Sequence, residues 1–143
     1  MDSYKSVKEH LEFLGYILEE KELTGHDKEK FPDKKQFLAK IRSPKSSFFI
    51  TYLPSNGFNF LSSYRAKPAA KEDKLLLLEL LNKMTLESYL CSFVASEDLR
   101  NVYLLAWCPD YYSKTSFGIF LDRIDNDIKY AISHNPAILN FIE

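Results

Sequence analysis

Three observations predict an α+β fold. Helical and strand-like periodicities occur in separate blocks, the strand-like blocks are joined by short connections, and a leucine-rich helix leads straight into an apolar hairpin. The expected order is α-βββ-α-ββ-α, a two-layer arrangement with an antiparallel five-stranded sheet and the helices on one side. The 143 residues are expected to form a single domain, and their 45% hydrophobic and 27% charged content is ordinary for a globular chain.

The first helix is placed at residues 6 to about 20. Ser6 and Glu9 have capping-box spacing, and Val7, Leu11, Leu14 and Leu18 repeat at helical intervals, with Phe13 and Ile17 widening the stripe. Residues 19–36 are the most polar stretch and are broken by Gly25 and Pro32. They read as a solvated loop, as a loop holding a short extra strand or turn, or as a docking segment. Three strands follow: 37–42, closed by Pro44; 47–53; and, after the turn Pro54-Ser55-Asn56-Gly57, 58–64. Connections this short make an antiparallel meander, because parallel neighbours need a crossover.

Residues 72–84 contain no Gly, Pro or β-branched residue, and Leu, Glu, Lys and Met dominate. At about 100° per residue Leu77, Leu80, Leu81 and Met84 form one stripe, with Leu76 on one shoulder and Leu75 and Leu78 on the other. An apolar arc of around half the circumference is wider than one sheet covers, so the helix is either deeply buried in its own domain or shared with a second chain. Leu75, Leu76, Leu78 and Asn82 are therefore the candidate dimer or partner surface.

The hairpin spans 89–96 and 102–108. With a four-residue loop at 98–101, residues whose numbers sum to 199 face each other. The core face is then Tyr89, Cys91, Phe93, Ala95, Val102, Leu104, Ala106 and Cys108; a one-residue slip would swap the faces of one strand relative to the other. Cys91 and Cys108 are expected as reduced, buried small hydrophobes, with a regulatory disulfide as the alternative. The last helix, 114–134, carries Phe117, Phe120, Leu121, Ile124, Ile128, Ala131 and Ile132 on one side. Ser113 or Thr115 caps it, Asn135-Pro136 stops it, and 137–143 add an apolar turn.

Little in the chain points to chemistry. A net charge of −1, with the signs interspersed, argues against a nucleic-acid or anionic-membrane surface. No apolar run approaches the ~20 residues that span a bilayer. The stretch MDSYKSVKEH lacks the apolar core of a signal peptide, which makes the cytoplasm the default compartment. His10, His26 and His134 lie far apart in sequence with no zinc spacing, and four glycines form no phosphate-cradling loop. Asp122, Asp125 and Asp127 read as the solvated face of the last helix rather than a metal site. No catalytic residue, cofactor or metal is expected.

The run from Leu75 to Trp107 resembles the signature of YbjN-domain proteins, which are built on the fold of type III secretion chaperones. In that pattern a leucine-rich helix ends in Leu-Asn, here Leu81-Asn82. A second small polar residue, usually Asn, is here Thr85. An aromatic eight residues on, here Phe93, precedes a polar hairpin and an apolar strand. The element order is similar along most of the chain. The resemblance implies a small, often dimeric, non-catalytic binding domain and names no partner. The expectation is thus a protein-interaction, chaperone-like or regulatory module and possible homodimer, not an enzyme. The alternative is a small-ligand binder or enzyme whose residues meet only in three dimensions. A third reading, RNA stacking on sheet aromatics, is opposed by the neutral charge.

Overall fold

The computed structural model describes residues 2–41 and 47–143. The chain runs α1 (Ser3–Phe13), β1 (Ile17–Lys21), α2 (Gly25–Lys30), β2 (Lys35–Lys40), β3 (Phe48–Leu53), β4 (Gly57–Arg65), α3 (Ala69–Glu72), α4 (Lys74–Glu87), β5 (Ser92–Ala95), β6 (Asn101–Cys108) and α5 (Lys114–His134), then a 3-10 turn at Pro136–Asn140. The fold is α+β, but among the described residues its sheet has six strands rather than five, in the order β1-β2-β3-β4-β6-β5. The pairs β1–β2, β2–β3, β3–β4 and β5–β6 are antiparallel. Two compact units divide the chain: Met1–Leu61 with Trp107–Phe120, and Ser62–Ala106 with Leu121–Glu143.

The additional strand comes from the stretch expected as the end of the first helix. α1 starts early because Asp2 accepts the Lys5 N–H at 3.2 Å, taking the cap role expected of Ser6. It stops early because Gly15 adopts a φ of +99°. The Tyr16 N–H then reaches the Leu11 carbonyl and the Gly15 N–H the Glu12 carbonyl, each at 3.0 Å, which closes a Schellman turn. Beyond it Ile17 pairs with Lys40 and Lys21 with Gln36. Val7 and Leu11 stay buried under α1, whereas Phe13 and Ile17 are exposed. α2 forms within the polar stretch and buries nothing. The expected strand end at Arg42 and its closure by Pro44 lie outside the described residues.

In the first unit one sheet face is packed and its reverse is open. Phe37, Ala39, Phe48, Ile50, Tyr52 and Phe60 are buried, while the alternating Leu38, Phe49, Thr51 and Asn59 are partly or fully exposed. Phe60 meets Phe48 and Phe120 edge-on at 5.4 and 5.1 Å, and Tyr52 lies 4.7 Å from Phe58. The β3–β4 turn requires left-handed backbone at Ser55 and at Gly57, where φ is +119°. A Cβ on Gly57 would also stand 2.2 Å from the Cys108 carbonyl oxygen. Asp110 fastens this turn by accepting the Ser55 N–H at 2.7 Å, the Tyr52 hydroxyl at 3.1 Å and the Ser3 hydroxyl. Trp107 donates its Nε1–H to the Asn56 carbonyl at 3.0 Å.

In the second unit the hairpin pairs Ser92 with Leu105 and Ala95 with Val102, so facing residues sum to 197 instead of 199. The loop is longer than expected because Ser96 organises it. Its Oγ accepts the Asn101 N–H at 3.1 Å and donates to Asp98 at 2.7 Å, and Leu99 turns left-handed at φ 56°. A two-residue shift leaves each side chain on its expected face. Phe93, Val102, Leu104 and Ala106 are accordingly buried, although Tyr89, assigned to the same face, is exposed. Cys91 and Cys108 are buried and free. Burial pushes the Cys108 thiol up to about 12. Burial and then the Asp127 carboxylate raise that of Cys91. α5 occupies the expected residues, with Ser113 Oγ accepting the Ser116 N–H at 3.0 Å.

Two outcomes follow from this packing. Gly57→Ala should lower the unfolding free energy by about 2 kcal/mol or more, since it meets both a positive φ and a backbone oxygen; an unchanged urea midpoint would contradict this. The alkaline limb is the second outcome. Burial raises the two thiols and the Tyr4 and Tyr64 hydroxyls above their ordinary values of 9.0 and 10.0. The unfolded chain therefore loses these protons first. The stability they contribute is intact below about pH 9 and is lost as pH rises towards about 12. Urea midpoints measured at intervals from neutral pH upwards should be level and then fall; a flat profile would count against the buried thiols and phenols.

Candidate interaction surface

α4 carries two stripes. Leu77, Leu81 and Met84 face inward and are buried. Leu75, Leu78, Asn82 and Leu86, spaced by three, four and four residues, lie within roughly 80° of one another on the opposite side. Leu75 is 70% exposed, Leu78 40% and Leu86 77%. Leu76, the fourth residue expected on this surface, is 41% exposed but sits about a quarter-turn away. Leu75, Leu78 and Asn82 therefore share a face, and Leu76 only borders it. Leu86 escaped the sequence reading although it continues the same spacing one helical turn beyond Asn82.

The inner stripe and the exit from the helix fix this orientation. Thr85 Oγ1 accepts the Phe93 N–H at 2.8 Å and donates back to the Phe93 carbonyl at 3.3 Å, joining α4 to β5. Ser88 Oγ donates to the Met84 carbonyl at 2.7 Å. The chain then turns around Asp127 of α5. That carboxylate accepts three consecutive N–H groups, from Tyr89 at 3.0 Å, Leu90 at 2.8 Å and Cys91 at 3.0 Å. Asp127 is 4% exposed, so its expected place on a solvated helix face is corrected: these donors replace water around it. Asp122 and Asp125 are exposed as expected, and Asp125 pairs with Lys129 at 2.8 Å. Beside the clamp, Leu86, Tyr89 and Tyr130 border a groove of about 520 Å³, which extends the apolar surface from the end of α4.

The other titratable groups fall into separate places. His10 Nδ1 lies 2.9 Å from the Tyr112 hydroxyl, and its ring packs edge-on against Phe117. Burial, then Lys114, lower its pKa from the ordinary value. His134 stacks on Tyr130, and His26 is exposed on α2. Among the described residues no three His, Cys, Asp or Glu side chains are grouped so as to hold a metal. No described helix is long and apolar enough to cross a membrane.

No family model matches the sequence, and no curated protein matches it. Among solved structures, the crystal structure of YbjN from E. coli, described as "a putative transcription regulator", matches with a TM-score of 0.62 and 13% identity over 98% of this chain and 95% of that one. The fold is YbjN-like.

Asp127→Ala would leave three N–H groups without their acceptor. A loss of about 3 kcal/mol in unfolding free energy is expected from urea titration, and a loss under about 1 kcal/mol would mean that the turn holds without the carboxylate.

Proposed function

We propose that the chain is a non-catalytic protein-interaction module of the chaperone-like or regulatory kind, and that it works as a homodimer joined through the outer face of α4. The observation that carries this reading is the second leucine stripe, exposed on a helix whose other stripe is already buried. Large apolar side chains gathered on one exposed helix face suit a contact surface better than ordinary monomer surface.

A second copy suits the stripe for two reasons. Asn82 stands between Leu78 and Leu86, where a polar residue in an apolar seam favours one register. Lys74 and Glu79 flank the stripe on opposite sides, five residues apart. In a parallel two-fold pair each Lys74 meets the partner's Glu79 across the seam, so the face is complementary to itself. The regulatory role described for YbjN accords with a module that acts by contact. A cytoplasmic location accords with two buried, free cysteines.

Light scattering over a range of concentrations should give a mass near twice 16.7 kDa. Leu75→Glu with Leu78→Glu should halve it while leaving the circular dichroism unchanged, since both side chains are exposed and glutamate suits a helix. A native protein that is monomeric throughout, or a double variant that unfolds, would sink the shared-helix reading.

A further inference from the structure

A depression of about 770 Å³ in the second unit is lined by Arg65, Lys67, Lys71 and Arg100. Two carboxylates, Glu72 and Glu143, share it. The whole chain has 19 basic and 20 acidic residues, so four cations against two carboxylates in one depression is a local positive excess.

Much of that charge is unspent. Lys67 Nζ gives one donor to the Leu139 carbonyl at 2.9 Å. Arg100 Nε stands 3.9 Å from Asp98 in an exposed pair, a contact worth little in water. Among the described residues Arg65 and Lys71 have no carboxylate within ion-pair distance. Lys71 and Arg100 nevertheless both act through space on Asp98 and, after the Ser96 hydroxyl and the Arg100 N–H, help hold that carboxyl below its ordinary value. The walls are held by backbone. The Ala66 N–H meets the Arg100 carbonyl at 2.8 Å, the Lys67 N–H meets that of Phe141 at 2.7 Å, and the Glu143 N–H meets that of Arg65 at 2.9 Å. Three chain segments distant in sequence thus bring the cations together in advance, which lowers the ordering cost of binding.

We infer that this depression binds a small phosphorylated organic molecule of nucleotide size. The volume lies within the range of small-ligand sites and well exceeds a lone phosphate. Two guanidinium groups offer the planar paired donors that suit phosphate oxygens. Ala66, Pro68 and Leu99 add an apolar lining for an organic body, and Glu72 and Glu143 add acceptors for its hydroxyl groups. Those carboxylates also interrupt the cations, whereas a nucleic-acid strand asks for a continuous basic stripe.

Calorimetric titration of the whole chain at low salt with ADP, with inorganic phosphate and with a short single-stranded oligonucleotide tests this. ADP should bind once per chain, at least about tenfold tighter than phosphate, and Arg65→Ala with Lys71→Ala should weaken it about tenfold or more without lowering the thermal midpoint of the unliganded protein. If that pair perturbs folding, Arg65→Gln alone carries the comparison, with Lys129→Ala as an outlying control that leaves binding intact. Absence of ADP binding, binding indifferent to these variants, phosphate binding as tight as ADP, or preference for the oligonucleotide would each overturn the assignment. The solution mass plays no part in this readout, so it stands or falls apart from the dimer.

Discussion

Asp127 holds the turn by which α4 hands the chain to β5. A carboxyl group removed from water needs donors in place of its lost hydration, and here three successive backbone N–H groups supply them. Those groups point at one carboxylate only if the helix is left abruptly, and the abrupt exit sets the direction in which β5 departs. Thr85 repeats the constraint one turn earlier, engaging both backbone groups of Phe93. Two polar side chains thereby tie the helix to the hairpin, beside the buried stripe of Leu77, Leu81 and Met84.

With the inner stripe and the exit fixed in this way, the outer leucines are left without a structural task. Lysine or glutamate at positions 75, 78 and 86 would suit the helix as well and would keep the surface wet. In the proposed dimer those leucines would find their task, since their spacing on one face, with Asn82 among them, suits a seam.

The sequence was most legible where periodicity was long and undisturbed. α5 has its expected limits, and the stripe of α4 is buried at three of its four positions, with Leu80 half-exposed. Faces in the paired part of the hairpin agree with expectation despite a register off by two, because parity decides the face while a serine in the loop decides the register; Tyr89, ahead of the pairing, is exposed instead. The first helix was misread for the opposite reason. Leu14, Ile17 and Leu18 continue a helical pattern, and the terminating signal is a single residue, Gly15, whose positive φ opens a strand two residues later. Asp127 was illegible in principle: nothing local separates it from Asp122 and Asp125, and its burial depends on a turn 36 to 38 residues away. The cationic depression was equally hidden, since its walls come from segments that meet only in the fold.

The tie between Trp107 and the β3–β4 turn has a practical consequence. The chain has one tryptophan, and its indole donates to the carbonyl of Asn56, both within the first compact unit. Tryptophan emission, excited at the red edge of its absorption, therefore reports the integrity of that turn, whereas amide circular dichroism averages over both units. Denaturation followed by the two optical signals at once distinguishes a concerted transition, in which the curves superimpose, from successive melting, in which they separate. The molecule carries its own fluorophore for asking how cooperatively its two units unfold.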